Sequence, residues 1–302
     1  MLLAVSGSTN AVIHMAAVAG RIGMKLDLDD FNLLSDETPV LVDLKPVGAG
    51  YMEDFHYAGG LEGVLREIAP QLETDTRSIT GETLADRLAR PLADPIDRSV
   101  IREAATPISP VGGLIALRGS LAPEGAILKR AAATEALLEH EGRAVVFTSL
   151  EDLAARIDDP DLDVTAADIL VLQNAGPKSA SGMPEAGYLP IPKKLAQAGV
   201  KDMVRISDAR MSGTAFGTIV LHVSPEASVG GPLSLVRNGD RIRLSAREKR
   251  IDLLVDVATL AHRRTETTGA SYRPLRGYVR LYHEHVTSAT EGCDFDFLEA
   301  ME

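Results

Sequence analysis

The stretch "SDARMSGTAFGT", residues 207–218, separates two apolar runs, "DMVRI" (202–206) and "TIVLHV" (218–223). Short apolar runs bounded by Gly, Ser, Thr and Asp read as strands joined by a turn. Gly213, beside Ser212, lets the backbone adopt conformations that a Cβ forbids, so N–H groups there can approach a small ligand. A serine in such a turn can serve as a nucleophile or, once deprotonated, as a base. Its hydroxyl then needs a neighbouring base, a metal or oriented N–H donors to stabilise the alkoxide. The same residues also read as a polar loop whose hydroxyls cap the backbone. The turn is not the G-x-S-x-G elbow of esterases, because Arg210 and Met211 precede the serine.

Working outward, short β runs dominate from about residue 107: "GLIALRG", "RAVVF", "DILVLQ", "LSLV", "DRIRLSA" and "KRIDLLV". Helical patterns interrupt them at "SLEDLAARI" and "PKKLAQAG". Many short strands with Gly/Pro turns predict a compact barrel or sandwich. Residues 1–106 read mainly helical. "SGSTN" offers caps before "AVIHMAAVAGRIGM", whose apolar residues recur at helical spacing. "LDDFNLLSDE" is a second helix, "PVLVDL" (39–44) a buried-strand candidate, and Gly59-Gly60 breaks a helical stretch in two. "GETLADRLA" is another helix, with Thr83 as its cap. Residues 269–302 read as an extended tail. The domain expectation is therefore 1–106, 107–268 and 269–302.

Composition narrows the function. With 45% hydrophobic and 25% charged residues the chain has ample material for a core. A net charge of −12 argues against nucleic acid or an anionic membrane as the main partner. No run of apolar residues is long enough to span a bilayer. No basic segment precedes an apolar one at the N-terminus, so no signal peptide is read. One cysteine, Cys293, fits a reducing cytoplasm and rules out an iron–sulfur cluster held by several cysteines of this chain.

Other stretches carry candidate chemistry. In "NAGPKSASGMPEAGYLPIP" (174–192) Gly and Pro crowd around one carboxylate, Glu185, a donor suited to a hard cation such as Mg²⁺. Glu185 reads equally as a local cap. Ser8, Thr9 and Asn10 form a hydroxyl-rich helix start that could hold a carboxylate or simply cap the helix. "DLKPVGAGYMEDFHYAGG" (43–60) places Lys45, Asp54 and His56 in a loop near a ligand or on an ordinary surface. His14 and His222 read as core histidines. His283, His285 and Cys293 lie close in sequence but match no standard zinc spacing.

Five of these stretches occur in order: "SGSTNAVIHM", "DLKPVGAGYMEDFHYAGG", "GPKSASGMPEAGYLPIPKKL", "SDARMSGTAFGT" and "HVSPEASVGGPLSLVRNGDRI". Together they resemble the dihydroxy-acid/sugar-acid dehydratase family, over essentially the whole chain. "RMSGTAFGT" and "NAGP…GMPEAGYLPIPKKL" look more like its aldonate branch than the "GRFSGG"-type branched-chain enzymes. The resemblance implies an α/β fold, the trailing part of a cluster-binding α/β domain followed by an aconitase-like swivelling β/β/α barrel. It implies a hydro-lyase that converts a 2,3-dihydroxy sugar acid to a 2-keto-3-deoxy acid. It implies Ser212 as the base, Glu185 as a Mg²⁺ ligand, and Ser8, Thr9, Asn10 and Thr214 as substrate-binding residues.

The family's cofactors are a [2Fe-2S] cluster and Mg²⁺, and its assemblies are homo-oligomeric. The cluster cysteines and a modified-lysine Mg²⁺ ligand of the family are absent here. The chain thus resembles a C-terminal half, expected to lack the Lewis acid unless a complementary N-terminal half supplies it. The competing expectation is a non-catalytic remnant or subunit that binds a small acid or completes a split dehydratase. A barrel hydrolase using Ser212 is a third reading, and it requires a histidine near that serine.

Overall fold

The computed structural model describes residues 1–183, 189–211, 216–266 and 272–300. They divide into two compact units, one of residues 1–7 and 32–114, the other of residues 8–31 and 115–300.

In the smaller unit, helices α3 (Met52–Tyr57), α4 (Gly60–Glu67) and α5 (Leu84–Ala89) surround a core of Leu41, Val42, Ala58, Val64, Ile68 and Ile101. Gly59 and Gly60 both adopt positive φ (115° and 53°), which is why the helix breaks there. Thr83 caps α5 by accepting the Asp86 N–H at 3.0 Å, while the Asp86 carboxylate reaches back to the Thr83 N–H. Residues 39–44 are buried around Leu41, but they pair only through single bridges, Val40 to Ser109 and Val42 to Ile101.

The larger unit contains α1 (Asn10–Gly20) and eight strands: β1 (Ile115–Leu117), β2 (Gly125–Leu128), β3 (Glu139–Phe147), β4 (Ile169–Leu172), β5 (Arg205–Ser207), β6 (Ile219–Ser224), β7 (Arg241–Ser245) and β8 (Arg250–Leu253). Helix α2 (Leu28–Glu37) has residues in both units. Strand order is β1-β2-β6-β5-β4-β3-β7-β8. The β3-β4-β5-β6 pairs are parallel and the others antiparallel. Arg118, just after β1, meets β8 across the seam: its N–H donates to Lys249 O and its carbonyl accepts from Ile251 N, each at 3.0 Å. Gly119 allows this approach, since a Cβ there would overlap the Ile251 carbonyl. The sheet is therefore a nearly closed barrel, which leaves little free strand edge.

The parallel strands are apolar on both faces, as strands covered on both sides must be. In β4, Ile169 and Val171 enter the interior with Ile115, Leu128, Ile206, Val220, Ile242 and Ile251. Leu170 and Leu172 point the other way, to Phe147, Leu153, Ile157 and Met203. That outer layer is covered by α6 (Leu150–Arg156), capped by Ser149 accepting the Asp152 N–H at 3.2 Å, and flanked by α7 (Lys193–Gln197). In β6 the alternation switches sides at His222, whose φ is 58°, opposite a register shift in β2.

Several elements differ from the sequence reading, α8 (Val257–Glu266) among them, which was not read as a helix. "LSLV" is part of a 3₁₀ turn, Pro232–Leu235, because Pro232 supplies no N–H to a ladder. β2 was not read as a strand. The tail contains α9 (Gly277–His285), following α8 (Val257–Glu266), and α9 carries an Arg280–Glu284 pair at i,i+4 spacing. Because Leu172 is fully buried, Leu172→Ala is expected to cost about 2–5 kcal/mol in urea unfolding. Val257→Ala, at an exposed position, should stay within about 0.5 kcal/mol.

Candidate active site

Strand β5 organises several of the segments that the sequence singled out. Asp202, just before it, is carried into the interior. Its carboxylate accepts the Met203 N–H (2.9 Å), the Thr218 N–H (2.9 Å), and the Thr218 and Thr134 hydroxyls (2.8 Å each). Burial alone would raise its pKa. The hydrogen bonds from Thr218 and Thr134 and the Arg205 charge outweigh that and hold it below the ordinary carboxylate value. Arg205 is 7% exposed. Its Nη2 donates to Asp202 Oδ1 (3.1 Å) and to Phe216 O (2.8 Å), and its Nη1 donates to Leu189 O (3.3 Å). Leu189 and Phe216 are the first described residues after positions 184–188 and 212–215. One guanidinium thus holds the ends of both the Glu185 stretch and the Ser212 turn.

The beginnings of the same stretches are tied by carboxylates. Asp208 accepts the Ala175 N–H on Oδ1 and the Ala227 N–H on Oδ2, each at 2.9 Å. Glu226 accepts the Lys178 N–H at 2.9 Å, and Gly176 gives it room, since a Cβ there would overlap the carboxylate. From α9, His283 Nε2 donates to Lys178 O (3.1 Å) and Tyr282 Oη to Gly182 O (3.3 Å). Cys293 Sγ approaches Met183 Sδ at 3.4 Å. At the start of α1, Asn10 Nδ2 donates to Met211 O at 3.1 Å, immediately before Ser212. Ser8 Oγ accepts the Asn10 N–H at 3.2 Å, whereas the Thr9 side chain makes no cap. The structure therefore gathers "STN" (8–10), "NAGPKSASGM", "SDARM" and "SPEA" around β5.

Ser212, Thr214 and Glu185 themselves lie outside the described residues. Ser8, Thr9 and Asn10 are described, and Thr9 and Asn10 are buried. Lys45, Asp54 and His56 belong to the smaller unit. There Lys45 meets the Tyr51 hydroxyl at 2.6 Å and Asp54 accepts the Tyr51 N–H at 2.7 Å, both within the loop. His283, His285 and Cys293 go to separate partners: Lys178, Asp296 and Met183. Arg205, Asp208, Glu226 and Tyr282 were not read from the sequence as site residues, and His283 was weighed there only as a metal ligand. A charged residue inside an apolar run, as in "MVRIS", is the one local signal that marks Arg205.

Burial sets the electrostatics of this region. It pushes Asp208 up to about 6, against the opposing N–H groups of Ala227 and Ala175. It pushes Glu226 up to about 7, against the Lys178 N–H. His222 is brought down to about 3 by burial, with the Arg210 charge acting in the same direction, so its ring is neutral. Both His222 nitrogens lack a hydrogen-bond partner among the described residues. Burial raises Cys293 to about 12, an inert thiol. A lone thiol of this kind, engaged with Met183, does not fit an iron–sulfur cluster, and the described residues hold no group of three or more His, Cys, Asp and Glu arranged for a metal. A cleft of about 510 Å³ opens beside Lys178 and Glu226, but Glu124, Glu284, Glu291 and Asp296 also line it. That acidic lining is a poor seat for an anionic acid. No helix among the described residues is long and apolar enough to cross a membrane.

Comparison with known sequences shows what the chain is similar to. Residues 99–293 match the dihydroxy-acid/6-phosphogluconate dehydratase C-terminal model, and residues 1–87 match the corresponding N-terminal model. The chain belongs to this dehydratase family. It is 48% identical over 305 residues to the L-arabonate dehydratase of Azospirillum brasilense, covering 98% of this chain and 52% of that protein. It is 47% identical over 303 residues to the 6-deoxy-6-sulfo-D-gluconate dehydratase of Pseudomonas putida, covering 99% and 52%. Identity to the dihydroxy-acid dehydratase of Methanothrix thermoacetophila is 39% over 293 residues, covering 96% and 53%. The chain spans about half the length of the curated relatives it matches.

The raised Glu226 carboxyl gives a pH signature for this dehydratase-family chain. A carboxyl whose folded pKa is raised favours the fold at low pH, and that contribution is lost as pH rises through the folded value. Between pH 4.5 and about 7, Glu226 therefore pulls the thermal midpoint down with rising pH. In Glu226→Gln, calorimetry across that window should show a slope more positive than that of the wild type.

Proposed function

We propose that the barrel unit provides the proton-transfer and acid-binding part of a sugar-acid hydro-lyase. The convergence of the Ser212 and Glu185 stretches on the Arg205 guanidinium carries this reading. The family membership and the higher identity to aldonate than to dihydroxy-acid dehydratases support a sugar acid as the substrate class.

In this reading Ser212 Oγ, as an alkoxide, takes the proton from C2 of a 2,3-dihydroxy acid. The C2–H electrons form the C2=C3 bond as the C3–O bond breaks, and the departing hydroxide takes that proton from the Ser212 hydroxyl, leaving as water and restoring the alkoxide. The enol then loses its C2 O–H proton, gains a proton at C3 and becomes a 2-keto-3-deoxy acid. The N-terminus of α1, with Ser8 and Thr9, binds the acid's carboxylate, as helix starts favour anions; Thr214 contacts its hydroxyls. Asn10 holds the serine turn through Met211 O. Glu185 is the residue that would hold Mg²⁺, which when bound neutralises the carboxylate end of the acid. Thiolates for a cluster must come from outside this chain's residues, since Cys293 is its one cysteine. A chain that binds the acid without turning it over is the second reading, and the single cysteine favours it when the chain stands alone.

The test supplies the chain with the cysteine-bearing half of the Azospirillum relative and follows 2-keto-3-deoxy acid formation from L-arabonate. Ser212→Ala is expected to lower kcat by about 10²–10⁴-fold, the range for a lost general base. Unchanged turnover in Ser212→Ala would remove the serine from the mechanism. Binding of L-arabonate with no turnover in any combination would favour the second reading.

A further inference from the structure

We infer that Arg205 is a positioning residue of this site: its one guanidinium ties the backbone at Leu189 to that at Phe216, the residues that follow positions 185 and 212 on the described chain. The inference rests on the functional reading above for the roles of Glu185 and Ser212.

A buried ion pair is poor economy for stability, because the desolvation of both charges offsets their attraction. Arg205 and Asp202 have side chains only 8% and 4% exposed. Asp202 is already supplied with donors from Met203, Thr218 and Thr134. What Arg205 adds is two further N–H groups in a rigid fork, one on Leu189 O and one on Phe216 O. Lysine, a single point charge on a flexible stem, cannot reproduce that geometry. The backbone beyond Phe216 is shaped to admit the pair. Gly217 has φ 112°, and a Cβ there would overlap both the Arg205 guanidinium and the Asp202 carboxylate. Three residues on, just past the strand, Asp208 ties Ala175 and Ala227. The segment 205–208 thereby holds the two stretches at both ends. A misplacement of about 1 Å between reacting groups can cost about 10²-fold in rate.

The test compares Arg205→Lys and Gly217→Ala with Arg263→Met, which removes a different buried ion pair, to Asp240. Each full chain is combined with the cysteine-bearing half of the relative. Thermal midpoint, kcat, the half-saturating Mg²⁺ concentration and amide exchange at residues 189–195 and 216–221 are read. All three variants should melt lower. Arg205→Lys and Gly217→Ala alone should lower kcat by about 10²-fold, raise the Mg²⁺ requirement, and speed exchange in both segments together. Wild-type kcat and Mg²⁺ response in Arg205→Lys would overturn the proposal. So would an equal loss of kcat in Arg263→Met, which would make the effect one of general stability. If Ser212→Ala and Glu185→Gln abolish turnover while Arg205→Lys does not, positioning alone fails. If those two are silent as well, the functional reading fails first.

Discussion

The site depends on a charge carried into the protein interior. Arg205 lies on a strand buried on both faces, where an unpaired cation would be prohibitive. Asp202, three residues earlier, makes it tolerable and is itself satisfied by two threonine hydroxyls and by backbone N–H groups. The pair constrains more than itself. Thr134, Leu189, Met203, Phe216 and Thr218 must all lie within hydrogen-bond reach of it, so β5, β6 and the segments around them are locked in one arrangement.

The barrel makes such a centre possible. Parallel strands β3 to β6 require crossover connections, and the loops leaving their ends therefore gather on one side. The residues after β4 hold the 174–183 loop, the residues after β5 hold 208–211, and the residues after β6 hold 225–227. Asp208 and Glu226 bridge these loops by accepting backbone N–H groups that the loops could not otherwise satisfy away from water. Helix α9 closes the loop from outside through Tyr282 and His283. The outcome is a frame of carboxylates, carbonyls and side-chain donors that ties residues 174–183, 208–211 and 225–227 to one another.

Much of this was legible in the sequence, for physical reasons. β3, β4, β6, β7 and β8 announce themselves as apolar runs between turn residues, and Gly59-Gly60 marks the break between two helices. β2 was missed because "GAIL" is only four residues long with a glycine at its start. α9 was missed because its fixing contacts are tertiary, Tyr282 to Gly182 and Tyr282 against Phe295, rather than periodic. The motifs stood out by their composition. The frame around them did not, because its bonds join residues far apart: 33 positions from Ala175 to Asp208, 48 from Lys178 to Glu226, and 201 from Asn10 to Met211. No local pattern encodes a bond of that kind.

The central claim is that Arg205 on β5 holds the backbone at Leu189 and at Phe216 together. Its most direct measurement is intramolecular cross-linking between cysteines placed at 190 and 216 in a Cys293→Ser background, using a short bifunctional thiol reagent. The account predicts efficient cross-linking in the folded chain and its loss in urea. Folded protein that reacts at both cysteines without joining them would contradict it.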